Sequence, residues 1–208
     1  MKILRHEPYT LPAMLDGTLR PMGTDRVGGL HLSTVIKRMR AEIDGKVPSD
    51  IAGEQEGLRA QCGFLWERAI EHAWKEYQGV TRTWVEHGKA IEAVADGIAM
   101  SPDGVDRREP LLEEYKATWR SRRKADEAFE SEFWPWHVQT MAYARALGLP
   151  LRCRYIVMWF GGAYYKGPNP HIGPWETVVE WTQAEVDESW DTVLRYRDVV
   201  LREQETGR

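Results

Sequence analysis

Hydrophobic and polar positions change period several times along the chain, and each change marks an element. Residues 34–43 follow a helical period, with Ser33 as a good N-cap and Asp44-Gly45 as a stop. A polar loop at 45–53, with Pro48 and Gly53, separates this helix from a longer one over 54–77. The longer helix carries Leu58, Cys62, Leu65, Trp66, Ala69, Ile70, Ala73, Trp74 and Tyr77 at helical spacing. After Gly79 the pattern predicts strands over 80–85, 91–100 and 111–118. Ser101-Pro102-Asp103-Gly104, between the last two, is turn sequence. Pro135 suits the first turn of a helix to Leu147, which Gly148 and Pro150 stop. The largely apolar run 151–160 reads as a central strand ended by Gly161-Gly162, and 176–181 as another strand. Thr182-x-x-Glu185 is a capping box opening a final helix to Arg202. Pro8, Pro12, Pro21 and Gly28-Gly29 make the first 30 residues an extended arm.

This order, α-α-β-β-β-α-β-β-α, predicts an α/β fold with a mixed central β-sheet flanked by helices. One domain over 1–208 is expected. Its parts are the arm (1–30), a core (31–150) and a final segment (151–208) that completes the sheet and adds the terminal helix. Composition agrees: of 208 residues 42% are hydrophobic and 29% charged, an ordinary globular mix. No apolar run approaches the ~20 residues that cross a bilayer. The opening MKILRHEPYT lacks the apolar core of a signal peptide. Cys62 and Cys153 are too few for a four-thiolate metal site or a disulfide framework. The expectation is a soluble, cytoplasmic, reduced globule.

The net charge of −4 excludes the strongly basic footprint of a protein that coats DNA. It leaves room for an enzyme whose divalent metals bring local positive charge. The 10 tryptophans and 8 tyrosines supply buried area or stacking surface. The six histidines form no H-x-x-x-H or H-E-x-x-H pair, which counts against a zinc hydrolase, and His72 and His137 read as structural or solvated.

Candidate chemistry centres on three residues. Asp103 follows a proline in a tight turn, while Glu114 and Lys116 stand two apart on the next strand and so share a face. If the two strands pair as a hairpin, both carboxylates converge and form a hard oxygen site suited to Mg²⁺ or Mn²⁺. A lysine beside such an ion can orient water or offset charge on a phosphate, which are the parts phosphodiester hydrolysis needs. Taken singly, a carboxylate–lysine pair on a strand is also what a solvated face looks like.

Pro102-Asp103…Glu114-x-Lys116 resembles the motif of the PD-(D/E)XK nuclease superfamily. More narrowly, Met100-Ser-Pro-Asp-Gly-Val105 and Gly63-Phe-Leu-Trp-Glu67 resemble the phage lambda exonuclease family. Trp136-His-Val-Gln139 is similar to that family's glutamine-bearing helix. Arg26-Val-Gly-Gly-Leu-His-Leu-Ser33 is similar to its arginine–glycine segment, so the matches span about 26 to 143.

The resemblance implies a restriction-endonuclease-like core. It also implies that Asp103, Glu114, the Tyr115 carbonyl and Glu67 hold the metal, with Glu71 as a rival one turn beyond Glu67. Lys116 would position water, Gln139 and Tyr143 would help hold the site and the DNA, and Arg26 and Ser33 would contact a terminal 5′ phosphate.

The implied activity is a Mg²⁺-dependent 5′-to-3′ exonuclease on double-stranded DNA ends in phage-type recombination. A trimeric homo-oligomer and a single-strand annealing partner would accompany it, in the host cytoplasm. RecB-like nucleases of other polarity, endonucleases and an inactive DNA-binding module on the same fold are the alternatives. The missing four-cysteine set counts against an iron–sulfur relative. Ala117-Thr118-Trp119 stands where the family often has a cysteine–proline step, and 120–133 is rich in charge, which bears on substrate choice.

Overall fold

The computed structural model describes residues 1–8, 29–45, 63, 65, 66, 69, 70, 85, 86, 89, 90, 93–106, 111–121, 129–161 and 173–207. The main sheet has five strands, in the order β1 (Lys2–Pro8), β10 (Gly173–Glu180), β9 (Arg152–Gly161), β8 (Leu111–Ser121) and β7 (Gly104–Asp106). Only β8 and β9 run parallel; every other neighbour is antiparallel, so the sheet is mixed as expected. A parallel pair needs a crossover, and α2 (Trp134–Leu147) lies within it. A second sheet joins β2 (Leu30–His31), β6 (Ile98–Met100) and β5 (Ala93–Ala95), and β3 (Val85–Glu86) pairs with β4 (Lys89–Ala90).

Both faces of the main sheet are covered, which is why the central strand β9 reads as an apolar run without alternation. On one face Leu112, Cys153, Tyr155, Val157, Trp159 and Val179 meet the apolar sides of α1 (Leu32–Ile43), α2 and α3 (Gln183–Thr206). On the other, helical residues Trp66, Ala69 and Ile70 cover Tyr115 and Ile156, and the Trp66 indole donates to the Ile156 carbonyl at 3.1 Å. Cys153 is a buried free thiol.

Helix boundaries follow their local chemistry. Pro135 lies in the first turn of α2, and Gly148 at its end adopts φ 61°, where a side chain would be strained. Thr182 and Glu185 form the expected capping box, but α3 runs on to Thr206 rather than Arg202. His31, not Ser33, is the N-cap of α1, so Ser33 stands exposed within the first turn.

Three expectations need correction. Residues 93–100 form a hairpin, not one strand, because Asp96 (φ 48°) and Gly97 (φ 76°) make a tight turn of the Asp-Gly type. Part of the arm is β1, an edge strand on β10. Ser101–Gly104 does not close a hairpin between β6 and β8; it carries the chain from the small sheet into β7, which pairs with β8. Of the long helix, only Gly63, Leu65, Trp66, Ala69 and Ile70 are described, and strand 80–84 lies outside the described residues.

Candidate active site

The alternation of β8 puts Leu112, Glu114 and Lys116 on the face toward α2, and Glu113 and Tyr115 on the opposite face. Asp103 approaches the same strand from the start of β7. Its Oδ2 accepts a hydrogen bond from the Tyr115 amide at 2.7 Å, which anchors this carboxylate beside Glu114. Gly104 permits the approach: a Cβ there would lie 3.1 Å from the Tyr115 phenol oxygen and 3.5 Å from Glu113 Oε2.

Glu114 is 1% exposed. One oxygen accepts from the Lys116 ammonium, while Oε2 is buried with no hydrogen-bond partner among the described residues. Burial first, and then the Asp103 charge, push its carboxyl up to about 8 against the opposing pull of Lys116. Lys116 also donates to Gln139 Oε1 at 3.2 Å. Gln139 in turn donates from Nε2 to the Tyr143 hydroxyl at 2.6 Å, and this fixes which end of the amide faces the lysine. The i, i+4 spacing on α2 brings these two together, and Tyr143 is buried.

A buried carboxylate with an unused oxygen, beside a second carboxylate, suits a hard divalent cation. The donor set of oxygens fits Mg²⁺ or Mn²⁺ better than a softer ion.

The structure brings Asp103, Glu114, Lys116, Gln139 and Tyr143, all candidates from the sequence, into one connected group. Ser33 is positioned differently. The parallel pairing of His31 with Ala99 sets the start of α1 alongside the end of β6, immediately before Ser101–Asp103. Arg26, Glu67 and its rival Glu71 lie outside the described residues. His137 is a core group: Nε2 lies 3.1 Å from the Phe129 carbonyl and Nδ1 3.0 Å from the Tyr155 hydroxyl, and burial lowers its pKa to about 4.

A second buried group was missed. On the far face of the sheet, Arg154 Nη1 donates to Asp106 Oδ2 and Glu113 Oε1, both at 2.9 Å, and its Nε lies 3.1 Å from Glu176 Oε2. Burial pulls the Arg154 pKa down, and the carboxylates outweigh it and hold it above its ordinary value. The sequence signal was the pair of arginines inside the apolar β9 run.

No protein-family model matches the chain, and no curated protein matches its sequence. Solved structures do. The chain has the mixed α/β fold of an exonuclease class. In particular it is similar to the alkaline exonuclease LHK-Exo from Laribacter hongkongensis, at 15% identity and a TM-score of 0.51, over 87% of this chain and 92% of that one. The same exonuclease in complex with dAMP gives 16% identity and a TM-score of 0.49, over 86% and 90% of the two chains. A phage-related exonuclease from Haemophilus somnus 129PT gives 14% and 0.48, over 83% of each chain.

Proposed function

We propose that this chain is a divalent-metal-dependent deoxyribonuclease that degrades double-stranded DNA from its ends in the 5′-to-3′ direction. The observation that carries the reading is the buried Glu114 oxygen with no partner among the described residues, beside Asp103 and Lys116. The fold shared with exonuclease structures supports the same class.

Asp103, Glu114, the Tyr115 carbonyl and Glu67 are the residues that would hold Mg²⁺, with Mn²⁺ as a substitute. Such an ion supplies Lewis-acid polarisation of the phosphate and activation of water. The chain's own groups do the rest. Lys116 orients the attacking water and offsets charge growing on the phosphate oxygens. Gln139 steadies the ammonium through its carbonyl oxygen, and Tyr143 keeps that amide from turning over. Hydrolysis joins the water oxygen to phosphorus and breaks the P–O3′ bond, leaving a 5′ phosphate on the shortened strand. Arg26 and Ser33 are the residues to receive that terminal phosphate, for which a guanidinium fork is well suited. By resemblance the enzyme acts in phage-type recombination in the host cytoplasm, as a trimer, handing a 3′ single strand to an annealing protein.

The test uses linear duplex DNA labelled at either the 5′ or the 3′ end, beside a covalently closed circle, with Mg²⁺ and with EDTA. Metal-dependent loss of the 5′ label with the circle intact supports the reading. A cut circle replaces it with an endonuclease. No hydrolysis with Mg²⁺ or Mn²⁺ overturns it and leaves a binding module.

A further inference from the structure

A triad of polar side chains lies in the apolar layer between α2 and the main sheet, and the catalytic roles proposed for this chain involve none of them. His137 and Thr140 come from α2 and Tyr155 from β9, and all three are buried. The Tyr155 hydroxyl lies 3.0 Å from His137 Nδ1 and 2.6 Å from Thr140 Oγ1, and His137 Nε2 lies 3.1 Å from the Phe129 carbonyl.

The donors follow from the chemistry of each atom. A carbonyl only accepts, so the proton of the His137 ring sits on Nε2. Burial keeps the ring neutral, which leaves Nδ1 as an acceptor, and the Tyr155 hydroxyl donates its one proton there. The Tyr155 oxygen then accepts from Thr140, whose hydroxyl also lies 3.0 Å from the Trp136 carbonyl and 3.2 Å from the His137 carbonyl. The bonds therefore run in one direction, from Thr140 through Tyr155 and His137 to the Phe129 carbonyl.

Its place in the fold gives this triad a use. Tyr155 is the residue paired with Glu114 across the parallel β8–β9 ladder. On α2, His137 and Thr140 stand on either side of Gln139 in sequence, and two anchors on one turn fix both the rotation and the height of the helix there. Gln139 Oε1 is 3.2 Å from the Lys116 ammonium, the long end of the usual range, so little displacement is tolerated. A side-chain tip ~5–6 Å from a helix axis moves ~1 Å when the helix turns by ~10°. Apolar contacts are non-directional and resist such a turn weakly, whereas hydrogen bonds in a dry layer resist it well.

We propose that Tyr155 is a positioning residue: through Thr140 and His137 its hydroxyl sets α2 against the sheet, so that Gln139 meets Lys116. The proposal rests on the nuclease reading for its catalytic consequence, but its structural half is read without activity. Tyr155→Phe removes the hydroxyl and keeps the ring. In Mn²⁺-dependent hydrolysis of linear duplex DNA, kcat is expected to fall about tenfold, as much as in Gln139→Leu, with KM little altered. Because the two residues act in one line, the double variant Tyr155→Phe, Gln139→Leu should also lose about tenfold rather than about a hundredfold. A merely structural hydroxyl would lower the melting temperature and leave kcat alone, or would add its loss to that of Gln139→Leu. If Tyr155→Phe fails to fold by circular dichroism, Thr140→Val takes its place, with Thr140→Ser expected to restore wild-type kcat.

The second readout is the Gln139 side-chain amide in proton–nitrogen correlation spectra of the metal-free chain, assigned by its loss in Gln139→Leu. In Tyr155→Phe this signal is expected to move toward the position of a free glutamine amide. An unmoved amide in the folded variant would overturn the proposal, as would unchanged kcat in an active enzyme or losses that multiply in the double variant. A wild-type chain that hydrolyses nothing would refute the nuclease reading, and the amide signal alone would then decide whether Tyr155 holds Gln139 in place.

Discussion

Glu113 and Glu114 are adjacent in the chain and equally buried, yet they face opposite sides of β8 and live in opposite circumstances. Both oxygens of Glu113 are engaged, one by Arg154 and the other by the Tyr115 phenol. Glu114 has one oxygen on Lys116, and the other has no partner among the described residues. A buried polar atom left unpaired costs free energy, and on a carboxylate beside a second carboxylate a bound cation is the partner that would offset it. The Arg154 side is a structural group in which one guanidinium faces three carboxylates and ties β7, β8, β9 and β10 together. The Glu114 side is an open one, and the register fixed from behind is what presents it.

The sharpest way to break this contrast is to remove the open carboxylate. Glu114→Gln is expected to lower metal-dependent DNA hydrolysis by about three orders of magnitude, a loss typical of removing key transition-state electrostatics. The metal-free fold should be kept or made more stable, as thermal melting will show. Wild-type turnover in the purified variant would sink the site assignment.

Removing the arginine from the Arg154 side is expected to act on folding instead. Arg154→Met strands three buried carboxylates and should cost about 3–5 kcal/mol in urea denaturation. A cost below about 1 kcal/mol would mean the group is no more than a surface-like pair.

The two sides should also differ in their response to pH. Glu114 titrates near its ordinary 4.5 in the unfolded chain and near 8 in the fold, so between those values the folded chain holds a proton that the unfolded one has released. Metal-free stability from this group is therefore complete below about 4.5 and declines as pH rises toward 8, by a few kcal/mol over the window. Added Mn²⁺ should flatten that decline, and Glu114→Gln should abolish it; a profile unchanged by either would contradict the open-site picture.

The smallest effect is expected at Gln139→Leu, which removes a brace rather than a charge. Turnover should fall about tenfold, the worth of about 1.4 kcal/mol, with KM for DNA little altered. A change confined to KM would place Gln139 in binding instead.

Much of the open side was legible in the sequence because it depends on short-range rules. The period of two on β8 gave Glu114 and Lys116 a common face, and the i, i+4 step on α2 paired Gln139 with Tyr143. The capping box of α3 and the Pro135–Gly148 bracket of α2 were equally local. The Arg154 side was not legible, since Asp106, Glu113, Arg154 and Glu176 come from four strands and meet only through their register. The hairpin at 93–100 was hidden because Val94-Ala95 and Ile98-Ala99 flank Asp96-Gly97 as one apolar run. Strand β1 was hidden by the density of proline after it, and it forms because the edge of β10 offers unpaired backbone groups.

That edge pairing also orders the making of the molecule. Lys2–Pro8 is made before its partner Gly173–Glu180, with residues 9–172 between them. At about 5–20 residues per second the first strand waits many seconds with its backbone unpaired. Strand β8, which carries Glu114 and Lys116, gains its parallel neighbour β9 only after the intervening α2 has been made. Closing such distant pairs is slow, because chain entropy is spent before the contacts form. The sheet bearing the catalytic candidates is therefore completed only once β10 has been made, and a nascent chain interrupted before it holds the acidic residues without the strand on which β1 pairs.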